Sequence, residues 1–257
     1  MAHHVYSDIY YDVPGSSGND CLTITGPDTA DIDNCTFDLI AYPRTEQDEI
    51  ISLVKGAQVR IRNSVIYGGI KAILAGNGDH PVEDSEFGRL EMQNCIIIGS
   101  GRRCPEAQDG VRVTMDQCWI ADWGLDFDVR AFGAWAHKGA SIKATNCIFT
   151  QLTSPSLAEW FLDHMNHIGQ AVNTYGLKAL LNSRTYVSGF RRALTADSGG
   201  TVWGRNCYRN SPSIIVDGCD SWMSTEEAAI RAVTISAACG RPPQFALEYF
   251  DLVRSAQ

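Results

Sequence analysis

The sequence predicts an all-β fold: a right-handed, single-stranded parallel β-helix, or solenoid, with short helices in the C-terminal third. Three observations predict it. One pattern recurs along the chain: alternating apolar residues, then Asn, Gln or Gly, then Cys or Ser, then apolar residues again. It reads ADIDNCTF (30–37), VRIRNSVI (59–66), LEMQNCII (90–97), VTMDQCWI (113–120), SIKATNCIF (141–149) and IIVDGCDSW (214–222). The Cys or Ser positions are 35, 64, 95, 118, 147 and 219, and four of the five gaps fall between 20 and 31 residues. That is the period of stacked supersecondary units. The segments alternate with period two, so they read as strands, and Gly, Asp, Asn and Pro punctuate the gaps.

In VRIRNSVI, Val59 and Ile61 face one way while Arg60 and Arg62 face the other. Strands of this length and period suit six or seven coils stacked about 4.8 Å apart, with inward residues forming ladders. Cys35, Cys95, Cys118 and Cys147 are expected in one inward ladder, as small buried hydrophobes rather than disulfides or metal ligands. The chain holds nine cysteines, an odd number, and no Cys-x-x-Cys pair, which argues against a zinc ribbon or a thioredoxin-type motif.

The pattern changes after residue 150. Residues 155–181 show helical spacing, with Leu157, Trp160, Phe161 and Met165 on one face. Strand-like text returns at 185–190, 200–208 and 213–218. Residues 224–240 read as a helix with Ser224 or Thr225 as cap, acids in the first turn and Gly240 at its end. The tail after Pro242 and Pro243 is expected along the outside of the stack. No linker interrupts the chain, so residues 1–257 are read as one domain.

Composition bounds the function. The 257 residues carry a net charge of −9 and a pI near 5.1, so nucleic acid is not the expected partner. No apolar run is long enough for a membrane span. MAHHVYSDIYYDV lacks the basic and apolar regions of a signal peptide. There is no Walker loop and no Gly-x-Ser-x-Gly elbow. His164 and His167 lie three apart on the first predicted helix, without the Glu of a zinc-protease motif. Asp126 and Asp128 form no paired-acid motif of a glycoside hydrolase.

Four segments converge. Asp20 precedes the first clear strand, and Asp48 and Glu49 precede the next. Lys71 follows in GGIKAILAG, and Arg102 and Arg103 in GSGRRCPEAQDG. On stacked coils, residues of equal phase come within one or two rungs, which would set an acidic calcium site beside one Lys and one Arg.

Residues 18–150 resemble the pectate lyase superfamily, polysaccharide lyase family one. GNDCLTITGPDTADIDNCTF is similar to the family's Asp-x-Ile-x-Ile strand and its Ile-Asp-His-Cys segment, with Asn34 in the His place. QDEIISLVKGAQVRIRNSVI is similar to its Asp-bearing strand. GGIKAILAGNGDH matches the segment carrying its Lys, and Arg103-Cys104-Pro105 its Arg-x-Pro signature. Two departures stand out: Gln108 replaces a second Arg, and Ser52 replaces a further calcium-binding acid.

The resemblance implies calcium-dependent β-elimination on polygalacturonate (pectate). Asp20 and Asp48, with Glu49, would hold Ca²⁺; Lys71 would stabilise the developing charge; Arg103 would be the base; Arg102 and Gln108 would bind substrate. It also implies secretion, an alkaline optimum and a monomer. The alternative is a non-catalytic or differently specific polysaccharide-binding β-helix, an adhesin or a virion fibre module, the latter a trimer.

Overall fold

The structure is a computed structural model, and it describes residues 1–11, 20–39, 49–76, 88–123, 131–152, 191–210 and 219–255. The chain is all-β in its main body, with three parallel sheets whose strands stack in chain order, an arrangement consistent with a parallel β-helix. Sheet A holds β1 (His3–Ser7), β4 (Thr29–Asp33), β7 (Gln58–Arg62), β10 (Arg89–Gln93), β13 (Arg112–Asp116), β16 (Ser141–Thr145) and β19 (Thr201–Arg205). Sheet B holds β2 (Tyr10–Tyr11), β5 (Thr36–Asp38), β8 (Val65–Tyr67), β11 (Ile96–Ile98), β14 (Trp119–Ala121), β17 (Ile148–Thr150) and β20 (Tyr208–Arg209). Sheet C holds β3 (Leu22–Thr25), β6 (Glu49–Val54), β9 (Lys71–Ala75), β12 (Glu106–Ala107), β15 (Ala131–Ala136) and β18 (Arg191–Ala196).

The recurring motif makes the corner from sheet A to sheet B. Asn34, Asn63, Asn94, Gln117, Asn146 and Asn206 all have φ between 50° and 54°. Asn tolerates this left-handed conformation better than most residues, because its short amide finds local partners. Those partners stack from coil to coil: Asn63 Nδ2 donates to Asp33 Oδ1 (2.9 Å), Asn94 Nδ2 to Asn63 Oδ1 (3.2 Å) and Asn206 Nδ2 to Asn146 Oδ1 (2.8 Å).

The following residue turns inward. Cys35, Cys95, Cys118 and Cys147 are buried in one ladder, with Ser64 between the first two, and all nine cysteines are free thiols. Each of these four thiols donates to the carbonyl two residues earlier, as Cys147 does to Thr145 (3.2 Å). The ladder continues with Cys207 rather than Cys219, which corrects the repeat at its last step. Asn206-Cys207 has the corner conformation, whereas Cys219 is half-buried and only bridges Gly204. The long last gap in the repeat is thus a skipped coil.

The corner from sheet C to sheet A also recurs. Lys55-Gly56, Asp109-Gly110, Lys138-Gly139 and Ser198-Gly199 each place two successive residues at positive φ. A hydrogen bond closes each turn, as from Ala140 N to His137 O (3.1 Å).

The interior is lined by alternate residues from all three sheets: Ile32, Ile61 and Met92 from sheet A, Phe37, Ile66 and Ile97 from B, Ile24, Leu53 and Ala75 from C. Burying one Ile or Phe side chain contributes about 1.5–3 kcal/mol, so the ladder is the main source of cohesion.

Sheet B does not alternate in burial: Val65–Tyr67, Ile96–Ile98 and Trp119–Ala121 are buried throughout. Two helices cover its outer face, α1 (Thr225–Ala238) and α2 (Pro243–Ser255). Ser224 caps α1 in a capping box with Glu227, and Gly240, at φ 67°, follows its end. The Tyr249 hydroxyl of α2 donates to Asp122 Oδ2 (2.7 Å), and its ring meets Trp119 edge-on at 4.9 Å. Thus the tail does run along the outside. None of the described helices is long and apolar enough to cross a membrane. The first predicted helix, His164, His167, Asp126 and Asp128 lie outside the described residues.

Candidate functional site

Sheet C, whose outer face the described helices leave to other residues, carries a buried file of charges. In-register pairing runs Glu49–Lys71–Arg103–Phe132–Arg192, one residue per coil. A second file, three positions later in each coil, runs Ser52–Leu74–Glu106–Trp135–Thr195. Residues far apart in sequence therefore sit one rung apart, about 4.8 Å.

Glu106 is the centre of the file, with a side chain only 4% exposed. Arg103 Nη1 donates to its Oε2 (2.9 Å), Lys71 Nζ lies 3.8 Å from the same oxygen, and His137 Nε2 lies 3.1 Å from Oε1. Burial pushes the Glu106 carboxyl up. The His137 hydrogen bond and the charges of Arg103 and Lys71 outweigh it, so the group ends below the ordinary carboxylate range. Trp135 packs this cluster: the Arg103 guanidinium lies 4.1 Å over its ring, and the His137 ring stacks on it at 3.8 Å.

The other end of the file is acidic. Lys71 Nζ donates to Glu49 Oε1 (2.9 Å), and Glu49 faces Asp20. The Thr23 hydroxyl donates to Asp20 Oδ2 (3.0 Å), and Ser52, in register with Thr23, lies beside the same carboxylate. Burial and the neighbouring Glu49 charge push Asp20 up to about 6, against the pull of the two hydroxyls. Two carboxylates that resist being charged together invite a shared proton or a shared cation. Two carboxylates and two hydroxyls are hard oxygen donors, the type that suits Ca²⁺. They fit a calcium ion in chemistry, although no cluster of three or more ligating His, Cys, Asp or Glu occurs among the described residues.

The structure thus brings Asp20, Glu49, Lys71 and Arg103 together on one face. Asp48 lies outside the described residues. Arg102 is half-buried, its N–H donating to Ile70 O and its carbonyl accepting from Phe132 N. Gln108 is not brought to the file: its buried amide donates to Gly76 O (3.1 Å). Gly76 has φ 104°, and a Cβ there would stand 2.3 Å from the Gln108 carbonyl, so this pair closes a tight backbone approach. Glu106, Trp135 and His137 were missed in the sequence. Their signals were small: an acid three residues after Arg103, and Trp135 and His137 two apart, at the end of β15 and just beyond it.

Comparison with protein families, with characterised proteins and with solved structures finds no match.

Proposed function

We propose that the outer face of sheet C is the active centre of a calcium-dependent polysaccharide lyase that cleaves polygalacturonate by β-elimination. In this reading the stack is a right-handed, single-stranded β-helix of the pectate lyase type, working outside the cell as a monomer. One observation carries the proposal: Asp20, Glu49, Lys71 and Arg103, scattered over more than eighty residues, meet on successive rungs of one sheet. The sequence resemblance assigns roles to the same residues.

The C5 proton of a uronate lies α to a carboxylate and is weakly acidic, so its removal requires that negative charge be neutralised. Asp20 and Glu49, with Asp48, would hold Ca²⁺, which when bound supplies Lewis-acid neutralisation of the substrate carboxylate. Lys71 supplies a fixed positive charge for the enolate that forms as the proton leaves. Arg103 takes the C5 proton, the freed electron pair becomes the C4–C5 double bond, and the C4–O4 bond breaks so that the departing sugar oxygen leaves with a proton from solvent. To take the C5 proton the guanidinium must part from Glu106 and offer it a nitrogen lone pair. Glu106 draws Arg103 (2.9 Å) and Lys71 (3.8 Å) to one carboxylate oxygen, and His137 and Trp135 fix Glu106 and Arg103.

The test is ultraviolet absorbance of polygalacturonate with the protein and Ca²⁺ at high pH. Elimination creates a conjugated, unsaturated sugar end, whereas hydrolysis and binding do not. A second reading is a polysaccharide-binding β-helix without catalysis, an adhesin or trimeric virion fibre. It is favoured by the closure of the ion pairs, since Lys71 and Arg103 are each engaged by a carboxylate. A flat absorbance trace on every uronate polymer selects it.

A further inference from the structure

We propose a second glycan-binding surface, for an anionic polysaccharide, on the outer face of sheet A at the C-terminal end of the stack. It does not depend on the reading of sheet C. Thr114, Lys143 and Trp203 stand in one register column on β13, β16 and β19, with Ser141 and Thr201 beside them and Arg205 two residues beyond Trp203. Alternation fixes their direction: Ile142 and Ala144 are buried, so Ser141, Lys143 and Thr145 face outward. Lys143 Nζ lies 5.0 Å from the Trp203 ring.

The N-terminal half of the same face shows why this patch differs. There the charges neutralise one another: Arg60 pairs with Asp31 (3.5 Å) and Glu91 (3.1 Å), and Arg89 with Glu91 (2.8 Å). In the C-terminal half Lys143 and Arg205 are exposed, and neither forms an ion pair with a described residue, although Arg205 shares its column with Asp116 and lies next to Asp220, which leaves Lys143 beside Trp203 as the less opposed cation. Flat spacing of ~4.8 Å between rungs and ~6.7 Å between outward residues makes a rigid platform. A Trp ring offers an apolar face to the C–H side of a sugar. The Ser and Thr hydroxyls both donate and accept, as sugar hydroxyls require. The two cations complement a carboxylate on each ring. A nucleic acid strand would need a run of stacking rings along a basic groove, and this face offers one ring, Trp203, beside one cation column.

Affinity electrophoresis of the whole chain through polygalacturonate gels containing EDTA tests the proposal, because chelation silences any calcium-dependent binding on sheet C. Expected are retardation that NaCl at about 0.5 M removes, none with neutral dextran, and about tenfold weaker retardation for Trp203→Ala/Lys143→Ala. The double variant should melt as wild type does, and Trp203→Tyr should keep most of the binding. Where wild type shows elimination, the double variant should keep its kcat. Absent retardation of wild type, equal retardation of the double variant, or tighter binding to poly-dT than to polygalacturonate would each overturn the proposal. The gel results do not bear on the absorbance test, so the two readings fail separately.

Discussion

Sheets A and C both carry charged side chains on their outer faces but handle them in opposite ways. On sheet A, Arg60 and Arg89 are 50% and 58% exposed, and their partners Asp31 and Glu91 are half-buried at 28% and 32%. On sheet C, Lys71, Arg103 and Glu106 are 18%, 16% and 4% exposed, held by one another and by Trp135. Exposed ion pairs contribute little, because water screens them and the side chains lose freedom. Buried ones cost desolvation, and they persist only when every member is engaged. The difference teaches that the paired charges on the N-terminal half of sheet A solubilise a flat wall, whereas those of sheet C keep a fixed geometry at an energetic cost, the pattern expected of a candidate site.

The comparison breaks most sharply at Glu106. Glu106→Ala leaves Arg103 and His137 facing a buried hole without their carboxylate, and Lys71 with Glu49 alone. Loss of one partner from a buried pair costs about 3–5 kcal/mol, so urea unfolding should show a drop of that order. Glu106→Gln keeps the shape and should fold more stably than Glu106→Ala, yet lose the hold on Arg103. If both variants unfold like wild type, Glu106 is not the centre of the file.

The next effect is catalytic. Arg103→Lys keeps a positive charge but loses the planar fork and the stacking on Trp135. A positioned base contributes about 10²–10⁴-fold, and the absorbance assay should show a kcat loss in that range with the melting temperature preserved. Lys71→Ala should lower kcat as well. Arg102→Ala should do little. If Arg102→Ala abolishes elimination and Arg103→Ala does not, the roles of the two neighbours are reversed.

These tests rest on residues that were unequally legible in the sequence. Asn34, Cys35 and their repeats could be read because a corner in the left-handed region and an inward small side chain recur with every coil. The Cys219 step misled because the same letters, an apolar run followed by Asp-Gly-Cys, also suit a bridge outside the ladder. Sheet B could not be read as doubly buried from its three-residue strands, since only the packing of α1 and α2 supplies the second apolar face. Lys71 and Arg103 were found through the resemblance and the phase of the coils. Glu106 was not, because its importance comes from Lys71, one coil earlier, and His137, one coil later, and no local pattern records that.

Asp20 sharpens the contrast by a smaller amount. Its carboxyl is pushed from 3.8 up to about 6 in the folded chain. A raised pKa means that the folded state prefers the protonated form. The stability this preference gives is fully present below pH 3.8 and is lost as pH rises through about 6. The full linkage would be ~3 kcal/mol; partial exposure and solvent screening reduce it to about 1–2 kcal/mol. Asp20→Asn should therefore melt higher than wild type at pH 7 without calcium, with the difference vanishing near pH 4. Added Ca²⁺ should raise the wild-type melting temperature more than that of the variant. Equal calcium responses in melting and in calorimetry would remove Asp20 from the cation site.

The smallest effect is expected on sheet A, and its smallness is the point. Arg60 bridges Asp31 and Glu91 on neighbouring rungs, so Arg60→Ala removes two ion pairs at once. Both pairs are bathed in solvent, and a Debye length of about 8 Å at physiological salt already weakens them. The buried ladder beneath, Ala30, Val59, Ile61 and Leu90, is untouched by the change. The melting temperature of Arg60→Ala should match that of wild type at 0.15 M salt, and a double change with Glu91→Ala should match it as well. A clear drop in melting temperature for Arg60→Ala that high salt abolishes would show the outer wall of sheet A to be structurally coupled, and the division of labour between the two faces would have to be withdrawn.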